Sequence, residues 1–490
     1  MIENFLHAAA LVLTVKVMGA LFFGVLVGYF VGAMPGLTSS IGMALLIPFT
    51  FGLEPIPAIV MLVSIYMASD YAGGIPAILV NAPGQPGSAV TAFDGYPMCN
   101  RGESGLALNL AIMASGAGAF ISLLLLVVSA QVMASSALAF GPSEYFALAI
   151  IGLSLIGVLS AGSTLKAIIG LLFGLTVVTI GIDPIRGTER FVFHPYLIDG
   201  IPFLPALIGL FALSEVFVMI ETANDRIDRV KHASSANHSL RTLMPYRRTV
   251  LRSSLIGYFI GVIPGAGASI ASLVSYGVAK KLSRTGTSFG TGNPEGIVAS
   301  EAANNASVSG ALAPLLSLGI PGSASAAVLI GGLTIQGLQP GPLLFADNPE
   351  IPFSIFVGLL AGLPIMLLIG LFGARLWVQI TRIPRPIIAT VVASICMLGS
   401  YAAANDTFEM MVTATFGVIG YVLRRCDIHP APIVLALVLG EMLEANLRRA
   451  MILANDNFLT VISHPITAGL ILASILVLAS PLFGRKPAAN

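Results

Sequence analysis

Phe30-Val-Gly-Ala-Met-Pro-Gly-Leu-Thr-Ser-Ser-Ile41 occurs a second time, in altered form, as Phe259-Ile-Gly-Val-Ile-Pro-Gly-Ala-Gly-Ala-Ser-Ile270. Gly32, Pro35, Gly36 and Ser40 return at the same offsets as Gly261, Pro264, Gly265 and Ser269. A second pair follows in each half, Asn81-Ala-Pro-Gly84 and Gly319-Ile-Pro-Gly322, each trailed by small residues. Gly and Ala are abundant, so one pair alone would carry little; two pairs in the same order indicate an internal duplication. Each Pro-Gly interrupts an apolar run. Proline removes an amide and glycine loosens the backbone, so the helix stops and leaves polar groups without partners. In hydrocarbon such a break is tolerated only where protein encloses a hydrated cavity. The repeated stretch therefore predicts a membrane protein whose chemistry lies at broken helices.

Composition points the same way. Of 490 residues, 56% are apolar and 10% charged, where a soluble chain carries roughly a quarter charged residues. Most of the exterior must face lipid. A net charge of +1 gives no support to nucleic-acid binding. Cys99, Cys396 and Cys426 stand singly, which offers neither a disulfide framework nor a metal or redox pair, and they read as packing residues. The first twenty residues place Glu3 before the apolar run and Lys16 inside it, unlike the basic-then-apolar order of a signal peptide.

Apolar segments are expected near 11–53, 56–94, 105–135, 145–161, 164–181 and 202–220, then near 253–280, 296–344, 351–377, 388–403, 408–422, 431–450 and 466–484. The stretch 221–252 between them holds Arg226, Arg229, Lys231, Arg241, Arg247, Arg248 and Arg252, which marks a cytoplasmic connector by the positive-inside rule. The expected organisation is a first repeat over 1–220, this connector, and a second repeat over 253–490. If 253–280 is a re-entrant hairpin, it returns to Lys280, Lys281 and Arg284, so both of its ends are cytoplasmic. Its counterpart 11–53 is flanked by Glu3 and Glu54 and enters from the other side. With 56–94 counted as one interrupted span, an odd number of crossings separates the hairpins, so the second repeat is inverted. Arg382, Arg385, Arg424 and Arg425 then fall inside; Arg448 and Arg449 fit less well.

Broken helices expose N-terminal amides that attract carboxylates, while unwound carbonyls and Ser, Thr and Asn oxygens coordinate Na⁺. The substrate-binding candidates are Thr38, Ser39, Ser40, Asn81, Gly84, Ser269, Asn305, Gly322 and Ser323. Those for ion coupling are Gly36, Pro83, Gly265, Asn304, Pro321 and Asp70. No transition-metal site and no organic cofactor are expected. In Ser300-Glu-Ala-Ala-Asn-Asn-Ala306, Asn304 and Asn305 follow Glu301 by three and four residues and share its helix face. A charge at the bilayer centre costs about 3 kcal/mol, so Glu301 is expected to face the cavity, to be paired or to lie near the interface. The two asparagines, which stay neutral, are expected to contact ligand. Asp70, near the matching depth in the first half, could carry a proton, pair with a cation or be structural. Asp94-Gly-Tyr-Pro97, with Arg101 and Glu103, reads as a cytoplasmic turn. The loop 183–199, with mixed charges and Pro184, Pro195 and His194, suits an ordered periplasmic loop able to receive a partner protein.

At these motifs the sequence resembles the large permease subunit of the tripartite tricarboxylate transporter family. The matching stretches begin with Gly32-Ala-Met-Pro-Gly-Leu37, Leu46-Ile-Pro-Phe-Thr-Phe-Gly52, Asn81-Ala-Pro-Gly84, Thr91-Ala-Phe-Asp-Gly-Tyr-Pro97 and Gly209-Leu-Phe-Ala-Leu-Ser-Glu215. They continue with Ile263-Pro-Gly-Ala-Gly267, Glu301-Ala-Ala-Asn-Asn305, Leu318-Gly-Ile-Pro-Gly322 and Gly337-Leu-Gln-Pro-Gly-Pro342, and together span nearly the whole chain. Met67-Ala-Ser-Asp-Tyr71 stands where the family usually has small residues, Met and a Tyr-Gly-Gly, and the acidic Asp70 departs from that pattern. The resemblance implies an all-α polytopic protein of the bacterial inner membrane, built as an inverted repeat with two re-entrant hairpins and two broken transmembrane helices. It implies a cation-coupled importer of citrate-like tri- or dicarboxylates, related to elevator-type ion transporters and driven by Na⁺. Its partners would be a periplasmic solute-binding protein and a small membrane subunit, within membrane lipid; homo-oligomeric assembly stays open.

Other classes fare worse. No GxxxxGK[ST] phosphate loop supports an ATP-driven pump. An intramembrane hydrolase needs a nucleophile and base at membrane depth, yet His194, His232, His238 and His429 sit in loops or at span ends. An uncoupled channel, or an H⁺-coupled carboxylate transporter working without a binding protein, is the competing reading.

Overall fold

The computed structural model describes residues 2–159, 163–183, 185–222, 240–380 and 383–483. Arg226, Arg229 and Lys231 of the basic connector, together with Pro184, His232, His238 and Arg382, lie outside the described residues. The chain is an all-α polytopic membrane protein, and among the described residues 8 helices are long and apolar enough to cross a membrane.

The repeated sequence forms the tips of two helical hairpins. In the first, Val15–Ala33 runs to the tip and Ser39–Leu46 turns back. Between them Gly36 takes φ +97°, a conformation that only glycine adopts without strain, and the Thr38 hydroxyl caps the returning helix by accepting from Ile41 N at 3.4 Å. In the second hairpin Arg247–Val262 leads to the tip and Gly267–Leu282 away from it, with Gly265 at φ +80°.

The two broken spans end alike. Pro55–Ala72 and Gly74–Val80 stop at Asn81, and Pro294–Leu318 stops at Gly319. Both stop residues are left-handed, with φ 54° and 74°, the usual way to close a helix. The next amides bond back, Ala82 N to Pro76 O at 3.3 Å and Ile320 N to Pro314 O at 3.2 Å. After the second break the chain resumes as Ala324–Ile335, capped by the Ser323 hydroxyl accepting from Ala326 N at 3.1 Å.

Each hairpin packs on its broken span through glycines. Gly28 and Gly32 lie against the carbonyls of Ile65 and Ser69, and Gly257 and Gly261 against those of Ala303 and Ser307. A Cβ at any of these positions would collide with backbone. Small residues allow such approach where lipid supplies no hydrophobic drive between helices. Pro294–Leu318 is the most enclosed element, buried without interruption from Gly296 to Ser317. It is held between Ser104–Ala137 and both arms of the second hairpin.

Glu350–Ile380 packs on the first hairpin and its broken span, and a second group of helices forms the other side of the molecule. Pro142–Leu159, Thr164–Val178 and Pro430–Leu453 pack together, and Pro465–Phe483 lies on the first of them. Phe203–Ile208, a π-helical turn at Gly209–Leu213 and Ser214–Glu221 make one span that packs on Thr407–Arg425. One departure from all-helical structure is a short antiparallel pair, Gly181–Ile182 with Glu189–Arg190. It orders the loop expected to be periplasmic. Arg448, which fitted the charge pattern poorly, pairs there with Asp183 at 2.5 Å and Glu444 at 2.8 Å.

The expected turn at Asp94 needs correction. Asp94 is 0% exposed, within the helix Ala92–Asn100. One carboxylate oxygen accepts from the amides of Gly290, Gly292 and Asn293 at 2.7–2.8 Å, and the other from Tyr276 Oη at 2.8 Å. A carboxyl side chain can be buried when donors surround it; the incoming loop before Pro294 supplies three and Tyr276 of Gly267–Leu282 the fourth.

Candidate functional site

The hairpin tips and the second break meet at one cavity of about 430 Å³, a size typical of small-molecule sites at roughly 300–1,000 Å³. Three helix N-termini face it: Ser39–Leu46, Gly267–Leu282 and Ala324–Ile335. Their first amides have no partner inside the helix, and their dipoles favour anions. Serines tie the first and third together: Ser325 Oγ lies 2.7 Å from Ser39 Oγ and 3.0 Å from Ser40 Oγ. Tyr66 Oη meets Ser323 Oγ at 2.8 Å.

Gln85, directly after the first break, locks the tip of the first hairpin. Its Oε1 accepts from Ser39 N at 3.2 Å, and its Nε2 donates to Leu37 O at 3.3 Å and Ser69 Oγ at 2.7 Å. Asp70 stands beside it, accepting from Ser39 Oγ at 3.3 Å. The opposite wall comes from the other side of the molecule, through Leu159, Phe211, Glu215, Arg424, His429, Ala431 and Leu435. There the Arg424 guanidinium pairs with the buried Glu215 carboxylate.

Of the residues anticipated from sequence, Gly36, Thr38, Ser39, Ser40, Asp70, Gly265, Ser269 and Ser323 line this cavity. Asn81, Pro83, Gly84, Pro321, Gly322, Asn304 and Asn305 are not part of its wall. Asn81 is exposed and closes a helix. Gly84 and Gly322 are buried where backbones touch, against the carbonyls of Gly32 and Gly261. Asn304 and Asn305 are buried inside Pro294–Leu318. Glu301 is 0% exposed, lies outside the cavity wall, and accepts from Thr91 Oγ1 at 2.6 Å and Ser115 Oγ at 2.9 Å.

Gln85 and Ser325 fall within the stretches 81–91 and 319–325 expected from sequence to form the site, and both line the cavity. Sequence reasoning missed Tyr66, Glu215 and Arg424 as cavity residues, although Glu215 ends a quoted motif. Arg424 gave only a loop charge, since its approach to the hairpin tips is a tertiary contact.

The family model of the tripartite tricarboxylate transporter TctA family matches residues 18–435. The chain belongs to this family. It is therefore a multi-pass permease component of a tripartite tricarboxylate transporter, an assembly that implies two further subunits. An uncharacterized 52.8 kDa protein of the TAR-I ttuC' 3' region of Agrobacterium vitis is 36% identical over 469 residues, covering 95% of this chain and 93% of the relative. A second uncharacterized protein, of the TAR-II ttuC' 3' region of the same organism, is 35% identical over 215 residues, covering 44% of this chain and 89% of the relative. No solved structure matches the chain.

Proposed function

We propose that this permease imports a citrate-like tri- or dicarboxylate across the bacterial inner membrane, driven by a Na⁺ gradient. A periplasmic binding protein delivers the substrate, and a small membrane subunit completes the transporter. The observation that carries this reading is the convergence of three helix N-termini, dressed with serine hydroxyls, on one cavity. Carboxylates would rest on those amides and hydroxyls, while Arg424 supplies the cationic wall and Na⁺ offsets the remaining charge.

The residues 1–220 and 253–490 are read as inverted repeats joined by a cytoplasmic connector over 221–252. The paired glycine contacts and the two matching left-handed helix ends support that duplication. The cavity lies between the hairpin group and the other helices, which suits an elevator motion of one against the other.

Uptake into vesicles holding the permease with its two partner subunits tests the proposal. Accumulation of labelled citrate is expected under an inward Na⁺ gradient, and Ser269→Leu is expected to abolish it without loss of expression. Downhill flux indifferent to every cation gradient would make the chain a channel and overturn the reading.

A further inference from the structure

We infer that Glu301 anchors a binding site for a monovalent metal cation of Na⁺ size, buried behind the cavity. Its shell would be the Glu301 carboxylate, the hydroxyls of Thr91 and Ser115, and the amide oxygens of Asn304 and Asn305, the Asn305 amide rotating to present Oδ1 in place of the Nδ2 that faces Glu301. The inference rests on the reading of the chain as a cation-coupled importer, and it gives the coupling ion a place of its own, apart from the substrate.

Glu301 lies in the interior of Pro294–Leu318 with no accessible surface. No Lys, Arg or His among the described residues forms an ion pair with it. The titratable groups acting on it or feeling its charge are Asp70 and Tyr71, neither of which can neutralise a carboxylate. An ionised carboxylate buried without a cation is strongly disfavoured. Hydroxyl donors already reach both of its oxygens, and a hydroxyl that donates to a carboxylate keeps lone pairs for a cation.

A second observation concerns the asparagines. Asn304 and Asn305 are 0% and 1% exposed, and the Oδ1 atom of each is buried without a hydrogen-bond partner. Unsatisfied buried acceptors of this kind are rare and call for an unseen partner. The amide of Asn305 stands over Glu301 one helical turn on, with Nδ2 at 3.3 Å from Glu301 O and 3.5 Å from Oε2. Asn304 holds the first broken span, donating from Nδ2 to Asp70 O at 3.0 Å. Its free Oδ1 faces Gly87, which lines the cavity. Gly74 covers Glu301 from the other side, where a Cβ would stand 2.7 Å from Oε1. Any larger residue there would collide with the carboxylate.

The donor set is all oxygen with one formal charge. Hard oxygen ligands select hard cations, and several carboxylates are the usual provision for a divalent one. One carboxylate among neutral oxygens matches a single positive charge. The site is built from both broken spans and from Ser104–Ala137, so an occupant would tie these elements together.

The test is a thermal-unfolding titration of the full-length permease with NaCl, against choline chloride at matched ionic strength. Binding to the folded state raises the midpoint saturably, and the wild type is expected to respond to NaCl alone. Glu301→Gln is expected to flatten the response. Ser115→Ala, a smaller change that keeps the variant folded, is expected to raise the half-saturating NaCl about tenfold or more. Cys426→Ser, at an exposed site, serves as the control with an unchanged response. A wild type indifferent to NaCl, or variants that titrate like the wild type, would overturn the site and leave Glu301 a protonated structural residue. Na⁺-driven uptake that persists in that case leaves the importer reading intact; uptake without any cation dependence removes both.

Discussion

Gly36 lies against Glu215: a Cβ on Gly36 would stand 2.9 Å from Oε1 of Glu215, whose carboxylate also holds the Arg424 guanidinium. The contact joins the tip of the first hairpin to the far wall of the cavity. It uses a residue without a side chain at a point where a side chain would push the two sides apart, as Gly265 does against Ile156.

Gly36→Ala should therefore fail on two counts. The left-handed backbone costs an alanine about 1–2 kcal/mol, and the new methyl must displace Glu215. Gly337→Ala is the comparison, since Gly337 has φ +74° and open space around it. Both variants should lose thermal stability, but Gly36→Ala alone should abolish uptake. Equal uptake in the two would show that the Gly36–Glu215 contact has no part in transport.

Breaking the Glu215–Arg424 pair should cost more than removing it whole. A fully buried pair loses about 3–5 kcal/mol when one partner goes; Arg424 is 24% exposed on its side chain, so on the order of 2 kcal/mol is expected for Glu215→Gln. The double variant with Arg424→Gln should recover part of the loss. A double-mutant cycle on the unfolding midpoint measures the coupling, and strict additivity would count against the pair.

Asp94→Ala should release the loop before Pro294. Three amides and one phenol lose a charged acceptor, each such bond being worth about 1.5–3 kcal/mol when removed singly. Hydrogen exchange at Gly290, Gly292 and Asn293 should rise first. Asp94→Asn, which keeps one acceptor oxygen, should show a smaller rise, and protection unchanged in both variants would refute the assignment.

Asp183 predicts a pH response confined to the loop around Gly181–Ile182 and Glu189–Arg190. The amides of Arg186 and Ile185, with Arg448 beside them, hold its carboxyl down at about 2. A lowered folded value means that the stabilisation is complete above the ordinary range near 4 and is lost as pH falls through about 2. Protease nicking of this loop should thus increase between about pH 4 and pH 2. Asp183→Asn should nick more readily at neutral pH and lose the pH dependence.

How far the sequence could be read follows from the reach of each interaction. The breaks at Gly36, Asn81, Gly265 and Gly319 were legible because a helix is ended by its own Pro and Gly. Thr38, Ser40, Ser269 and Ser323 were legible as cavity residues because a position just after a break is necessarily near a helix N-terminus. Asn304, Asn305 and Glu301 do not line the cavity. Their spacing put them on a polar face, yet that face is covered by Ser104–Ala137 and the first broken span, and a helix alone does not reveal what covers it.

From residue order alone came the class, the spans and the four interruptions, since lipid burial and helix breaking depend on composition and nearest neighbours. Packing alone decided that Arg424 and Glu215 close the cavity opposite Ser39, and that Asp94 is buried. Those partners lie far apart along the chain, and only the folded backbone brings their polar groups within hydrogen-bonding distance.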